Sequence, residues 1–205
     1  MDEQSDRKYT QEIVPEKTYN TRFPRMWSYL KKHITLGPRT FLDLGCGRGD
    51  MVWKMHLSAF AGTSIGIDKE PPFDLYPRLN IPHLNEFNTR QIWFIKSDIN
   101  TFINEPPIFP EFDYVSCFSV LPYLKDATAV LRWMYRNARV SLIECQYAKD
   151  GPGFEHIKNN DDMEKWLKSI GWKKPLTIGH TKIRDRNAKR YIWYCAKDSD
   201  NSSRG

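Results

Sequence analysis

Three glycines at alternate positions, Gly45, Gly47 and Gly49, follow a short apolar run that contains one acidic residue, Asp43. A buried strand that opens into such a loop brings main-chain N–H groups close to a ligand, because glycine has no Cβ in the way. A helix predicted over Asp50–Leu57 comes next and would direct the positive end of its dipole at the loop. The pattern therefore predicts a ligand-binding loop between a strand and a helix.

The spacing of these glycines separates two kinds of nucleotide-binding loop. The dinucleotide fingerprint is G-x-G-x-x-G, whereas here the third glycine comes one residue earlier and Asp50 takes its slot. An acidic residue two positions before G-x-G-x-G resembles motif I of the class I S-adenosylmethionine-dependent methyltransferases. Asp43 would favour the ammonium group of that donor and would repel phosphates. An ordinary glycine-rich turn is the alternative, and the spacing opposes an NAD-dependent oxidoreductase.

The resemblance implies further donor-binding residues at the ends of the following strands. Asp68 would accept hydrogen bonds from both ribose hydroxyls, and a surface aspartate capping a turn is the alternative. Asp98 would recognise the adenine amino group while Ile99 packs against the adenine face, and the alternative for Asp98 is a helix N-cap. Arg22 would pair with the donor's carboxylate. The residues expected to bind S-adenosylmethionine are Asp43, Gly45, Cys46, Gly47, Gly49, Asp68, Lys69, Asp98, Ile99, Phe118, Ser119, Tyr123 and Arg22.

The segment that ends the predicted fourth strand resembles the family's fourth motif, and it would place Phe118 and Ser119 beside the reactive methyl group. Family members that methylate nucleobase amino groups typically carry Asp/Asn/Ser-Pro-Pro-Tyr/Phe/Trp there. This chain has Val120-Leu-Pro-Tyr123. The first position lacks a polar side chain, which counts against base N-methylation, although Ser119 keeps that reaction open.

The segment after the predicted fifth strand is a turn-rich loop at the ligand-facing edge, with Asp-Gly-Pro-Gly at 150–153. Glu144, Tyr147 and His156 are candidates for positioning or deprotonating a nucleophile. For each of them, a polar residue without chemistry is the alternative. The Lys-Asp-Lys-Glu tetrad of ribose 2′-O-methylating relatives is not recognisable, because no lysine follows Glu144 until Lys149.

Strand and helix patterns alternate along the chain and predict an α/β fold. This is a Rossmann-like, doubly wound, mostly parallel seven-stranded sheet with a C-terminal antiparallel hairpin and helices on both faces. The predicted strands are Thr40–Leu44, Thr63–Asp68, Ile92–Ile95, Tyr114–Ser119, Arg139–Cys145, Pro175–Thr181 and Arg190–Ala196, and the main helices are Phe23–His33, Asp50–Leu57, Asp126–Arg136 and Asn160–Ile170. A single domain is expected over 19–197, between a flexible lead-in (1–18) and a flexible tail (198–205).

Composition limits the remaining possibilities. The chain has 205 residues, enough for one domain with a sizeable core. Its four cysteines form no C-x-x-C pair and its five histidines are scattered, so we expect free thiols in a reducing, cytoplasmic compartment and no metal site. No apolar run approaches the roughly 18 residues of a membrane span, and the N-terminus does not resemble a signal peptide.

The charge balance bears on the acceptor. A net charge of +6 permits weak attraction to polyanions, and the basic stretch Lys182–Arg190 reads as a solvated hairpin loop, with a binding patch as the alternative. The resemblance implies methyl transfer from S-adenosylmethionine to an acceptor that the sequence does not identify. A small molecule is favoured because no nucleic-acid-binding motif is recognisable. Methylation of RNA, DNA or protein, or donor binding without transfer, are the alternatives.

Overall fold

Seven strands and five helices are formed by the residues that the computed structural model describes, which are 16–33, 39–58, 62–71, 92–147, 156–183 and 186–197. The strands are β1 (Thr40–Leu44), β2 (Thr63–Asp68), β3 (Ile92–Lys96), β4 (Phe112–Phe118), β5 (Ala138–Gln146), β6 (Leu176–Ile183) and β7 (Arg186–Ala196). The helices are α1 (Glu16–His33), α2 (Asp50–Leu57), α3 (Ile99–Phe102), α4 (Ala127–Asn137) and α5 (Asn160–Ile170), and a 3₁₀ turn covers Leu121–Tyr123.

The strands form one sheet in the order β3-β2-β1-β4-β5-β7-β6. The first five strands run parallel, and β7 is antiparallel to both β5 and β6. The carboxyl ends of the parallel strands therefore share one edge, and the strand order reverses direction beside β1. In open α/β sheets that switch point is where ligands bind, and the glycine loop leaves β1 there. The predicted fold class is confirmed.

Both faces of the sheet are buried by helices. On one face α4 and α5 pack through apolar residues at three- and four-residue steps, including Leu131 and Leu167, which are fully buried. On the other face α1 and α2 pack through residues that include Met26 and Met55. The two apolar layers fix the strands, and the strands in turn fix the loops at their carboxyl ends.

Two element boundaries, the starts of α1 and β7, differ from the sequence-based prediction by more than two residues. Helix α1 begins at Glu16, within the predicted lead-in, and contains Pro24. The predicted start at Phe23 follows the apolar residues that recur at three- and four-residue steps, and the mostly polar residues before Phe23 carry little of that pattern. Strands β6 and β7 extend through most of the basic stretch predicted as a loop, with Lys182 opposite Lys189. The hydrogen bonds of a partner strand, which local composition does not reveal, account for this extension.

The predicted domain limits stay a prediction, because residues 1–15 and 198–205 lie outside the described residues. Among the helices of the described part, none has the length and apolar character needed to cross a membrane.

Candidate functional site

The glycine loop is fastened to the end of β2 by main-chain hydrogen bonds. Gly45, Gly47 and Gly49 have φ values of 75°, 52° and 74°, a left-handed region that glycine enters without steric penalty. The Gly45 and Cys46 N–H groups donate to the carbonyl oxygen of Ile67 at 2.8 and 3.0 Å. The predicted ligand-facing amides of these two residues are thus engaged within the protein, and they hold the loop in place.

The space around two of these glycines differs sharply. A Cβ added at Gly45 would lie 2.4 Å from Cγ2 of Val120, so this glycine is required for packing against the segment after β4. A Cβ added at Gly47 would meet no atom within 4 Å. Packing therefore does not explain a glycine at position 47, whereas a ligand approaching the main chain would. The loop fits a donor that needs close main-chain approach.

Asp68 joins the glycine loop to the turn after β2. Its Oδ2 accepts a hydrogen bond from the Gly47 N–H at 2.9 Å, and its Oδ1 accepts one from the Glu70 N–H at 3.1 Å. A carboxylate offers about four lone-pair sites, so acceptor capacity remains on both oxygens. The side chain is partly exposed beside Gly47, where it can face a ligand held by the loop.

Asp98 is the N-cap of α3, which was the structural alternative considered for it. Its Oδ1 accepts from the Asn100 N–H at 2.7 Å, and its Oδ2 pairs with Lys69 Nζ at 2.9 Å. The hydrogen bond from Lys69, followed by those from Asn100, lowers the pKa of the Asp98 carboxyl to about 2. Asp98 also borders an open depression of about 620 Å³. Ile99 packs in the apolar core and leaves 7% of its surface exposed.

Asp43 is almost completely buried, with 3% of its surface exposed. Its Oδ1 accepts from the Ser116 hydroxyl at 2.6 Å, across the β1–β4 pair. Burial, followed by the charges of Asp43 and Asp68, raises the pKa of the Cys46 thiol far above its ordinary value. The Cys46 side chain is therefore neutral, and thiolate chemistry at the loop is disfavoured.

The ends of β4 and β5 are joined through Ser119 and Glu144. Ser119 has a φ of 61°, its N–H donates to the Glu144 carbonyl oxygen at 2.8 Å, and its hydroxyl donates to Glu144 Oε2 at 2.5 Å. The Thr181 hydroxyl of β6 donates to Glu144 Oε1 at 2.7 Å. Glu144 has no exposed surface, so it can influence a ligand only through the groups that contact it.

The other acceptor-side candidates lie in different surroundings. The Tyr147 hydroxyl donates to Asn160 Oδ1 at 2.7 Å and accepts from Trp193 Nε1 at 2.9 Å, which places it in a network against α5. The exposed His156 ring packs against Trp166 in a T-shaped arrangement, with the ring centroids 5.2 Å apart. The structure therefore does not bring Glu144, Tyr147 and His156 into one hydrogen-bonded group. Residues 148–155 of the predicted acceptor loop lie outside the described residues.

Of the three remaining residues predicted to bind the donor, the structure describes the side chains of two. Phe118 is buried in the apolar layer under α1 and α2 and leaves 6% of its surface exposed. Tyr123 is 68% exposed in the turn after β4. The main chain of Arg22 belongs to α1, and its side chain lies outside the described part.

Two residues that bind buried carboxylates were not predicted from the sequence. Ser116 donates to Asp43 and Thr181 donates to Glu144. Strand alternation could have identified Ser116, because it shares a face with Tyr114 and Phe118 in the predicted fourth strand. Thr181 carries no such signal. Its position depends on the register of β6 against β7, which shifts between Thr177 and Gly179.

Comparisons with known proteins bear on the family and on the fold of this chain. The profile of a family described as "Methyltransferase domain" matches residues 12–191. A tRNA U34 carboxymethyltransferase of Shewanella sp. (strain W3-18-1) is 48% identical over 48 residues, which are 23% of this chain and only 14% of that relative.

Two solved structures share the fold at low identity. The magnesium protoporphyrin IX methyltransferase of Synechocystis PCC 6803, with bound S-adenosylmethionine, superposes with a TM-score of 0.64 at 17% identity, covering 88% of this chain and 81% of that one. An arsenic(III) S-adenosylmethionine methyltransferase from Chlamydomonas reinhardtii gives a TM-score of 0.62 at 18% identity over 81% and 65% of the two chains. Because the family profile spans most of the chain, this protein belongs to that methyltransferase domain family, and it has the fold of the class I S-adenosylmethionine-dependent methyltransferases.

Proposed function

We propose that the protein binds S-adenosylmethionine along the crevice bordered by residues 45–49, Asp68 and Asp98, and transfers the methyl group to a small molecule held beside Ser119. The observation that carries this proposal is Gly47, which is left-handed, open on its Cβ side and linked through its N–H to Asp68. A side chain at this position would occupy the space that a ligand needs.

Charge at the same edge supports a cationic donor. Asp43 and Asp68 lie in the carboxyl-terminal parts of β1 and β2, although the chain as a whole is basic. Carboxylates favour a ligand with ammonium and sulfonium groups and disfavour a polyphosphate. This distribution supports S-adenosylmethionine over a dinucleotide.

The residues of this chain then have a positioning task. S-adenosylmethionine, when bound, supplies a methyl group that is already activated on a positively charged sulfur. We expect the glycine loop to hold the amino-acid end, Asp68 to accept from the ribose hydroxyls and Asp98 to contact the adenine. The end of β4 would hold the acceptor, because alignment of the two reactants is the main contribution that a protein makes to such a transfer.

A small-molecule acceptor is supported by the organisation of the described residues. Their strands form a single sheet covered by two helical layers, and the sequence carries no recognisable nucleic-acid-binding motif. The four cysteines, all free and buried, support a reducing and cytoplasmic location.

RNA is the second candidate acceptor, and a specific observation favours it. Strands β6 and β7 carry the basic stretch to the outer edge of the sheet and place Lys182 opposite Lys189. Lysine and arginine residues clustered in one stretch attract the phosphate backbone of a nucleic acid. Steeply salt-dependent binding of an oligoribonucleotide would favour this acceptor class.

The test is incubation of the protein with methyl-labelled S-adenosylmethionine and a cell lysate separated into small molecules, RNA and protein. We expect label in the small-molecule fraction. Label in ribonuclease-sensitive material would replace that proposal with the RNA acceptor. Saturable binding of S-adenosylhomocysteine with no label transferred to any fraction would indicate a binding protein that transfers nothing.

A further inference from the structure

Glu144 is a fully buried carboxylate whose two oxygens are both held by hydroxyl groups. Ser119 donates to Oε2 at 2.5 Å and Thr181 donates to Oε1 at 2.7 Å. Burying a carboxylate is costly unless it is well hydrogen-bonded, so this arrangement fixes the orientation of both hydroxyl groups. Thr181 is itself 1% exposed, whereas Ser119 is partly exposed at the carboxyl edge of the sheet.

Ser119 is also conformationally unusual. Its φ of 61° makes it the one non-glycine residue with a positive φ in the part of the chain that the structure describes. Such backbone strain persists only where the surroundings enforce it, and it concentrates at functional sites. Here the Ser119 N–H bond to the Glu144 carbonyl oxygen, at 2.8 Å, enforces it.

The next residue places Ser119 near the glycine loop. Val120 packs so closely on Gly45 that a Cβ there would overlap its methyl group. Ser119 therefore stands between the donor loop at the end of β1 and the buried carboxylate of β5. From this position Ser119 faces the region where the methyl donor and the methyl acceptor must meet.

We infer that Ser119 contacts the acceptor as a hydrogen-bond acceptor, with Glu144 and Thr181 as positioning residues, and that the methylated atom is an amine nitrogen or hydroxyl oxygen that still carries a proton. This inference rests on the proposed function. A hydroxyl oxygen has two lone pairs, and because its proton is directed to Glu144, it accepts from the N–H or O–H of the nucleophile. An acceptor carboxylate has no proton to donate to the Ser119 oxygen.

Methyl transfer to such an acceptor releases one proton. The lone pair of the acceptor nitrogen or oxygen forms a bond to the methyl carbon while the carbon–sulfur bond breaks. The electron pair of that bond stays on sulfur, which leaves a neutral thioether. The proton of the methylated atom then passes to water. Ser119 orients the nucleophile throughout and is not consumed.

Sinefungin tests this inference without knowledge of the natural acceptor. It carries an amine where S-adenosylmethionine has its methyl group, so its N–H donors report on groups that face the methyl position. S-adenosylhomocysteine has nothing there. The ratio of their two dissociation constants, measured by calorimetry, therefore isolates the contacts of the acceptor side.

We expect the unmodified protein to prefer sinefungin. Ser119→Gly and Glu144→Gln should each reduce that preference by about tenfold or more, as expected for a lost hydrogen bond to a charged group, while S-adenosylhomocysteine affinity changes less than about threefold. Ser119→Gly is the more secure variant, because glycine accepts a φ of 61°. Thr181→Val should act in the same direction and Thr181→Ser should restore the preference.

Glu111→Gln is the matched control. Glu111 is a partly buried carboxylate outside the crevice, bound to Arg139 and Lys197, and its substitution should leave the ratio unchanged. An unchanged ratio in both Ser119→Gly and Glu144→Gln would overturn the inference, and so would an equal loss of affinity for both ligands. Failure of the unmodified protein to bind S-adenosylhomocysteine would instead refute the proposed function.

Discussion

Substitution of Gly47 by alanine separates a ligand cradle from an ordinary turn. The added Cβ would meet no protein atom within 4 Å, so no clash is expected in the unliganded protein. The remaining cost comes from the backbone, because φ is 52° and a left-handed conformation costs an L-residue about 1–2 kcal/mol. For a chain of this size we expect the melting temperature to fall by about 2–8 °C.

The effect on donor binding should be larger than a backbone cost alone would give. The new methyl group would fill space that the ligand is proposed to use, and such overpacking costs about 1–3 kcal/mol. We therefore expect the dissociation constant of S-adenosylhomocysteine to rise by about 5- to 150-fold. Calorimetry gives the affinity, and thermal unfolding followed by circular dichroism gives the stability.

Gly171→Ala supplies the matched control. Gly171 ends α5 with a φ of 137°, and a Cβ there would lie 2.6 Å from the Tyr135 ring. This variant should lose stability and keep its affinity for S-adenosylhomocysteine. If Gly47→Ala is destabilised as calculated and yet binds the ligand as tightly as the unmodified protein, Gly47 serves only the turn, and the cradle interpretation is wrong.

Three further predictions concern carboxylates and the tyrosine network. Asp68→Ala should weaken S-adenosylhomocysteine binding by about 1–3 kcal/mol, because the hydrogen-bond donors of the ligand lose their acceptor. Glu70→Gln should leave this affinity unchanged. If calorimetry gives the Asp68→Ala variant the same affinity as the unmodified protein, Asp68 does not bind the ribose. Asp98→Ala should lower the free energy of unfolding by about 0.5–2 kcal/mol at pH 7. Since the pKa of Asp98 is lowered from 3.8 to about 2, this stabilising contribution is present above pH 3.8 and is lost as the pH falls to about 2. The difference in the free energy of unfolding between the variant and the unmodified protein, measured by urea unfolding, should therefore shrink over that interval. A difference that stays constant would contradict this role. Tyr147→Phe leaves Trp193 Nε1 without its acceptor and should cost about 1–3 kcal/mol of stability with donor affinity unchanged; lost turnover at full stability would instead place Tyr147 in the acceptor site.

The core of the fold was predictable because its signals are local. The apolar runs of β1 and β2 and the capped periodic pattern of α5 gave the observed boundaries of those elements. The predicted start of α1 was too late because residues 16–22 carry little apolar periodicity, although the helix begins there and continues through Pro24. The length of the β6–β7 hairpin was underestimated because strand pairing, which is non-local, decides where a charged segment becomes extended.

The candidate site was predictable only in part. The glycine spacing and Asp68 follow from sequence, because a strand, a loop and the next strand end must meet at one edge of a parallel sheet. The N-cap role of Asp98 was one of its two predicted roles, whereas its ion pair with Lys69 depends on side-chain geometry. The hydroxyl groups around Glu144 come from β4 and β6, at opposite sides of β5 and β7 in the sheet, and no local pattern joins them.

The most direct measurement of the central claim is calorimetric titration of the unmodified protein with S-adenosylhomocysteine. We expect saturable binding of one S-adenosylhomocysteine per chain. No detectable binding at millimolar ligand, by a protein shown to be folded, would contradict it.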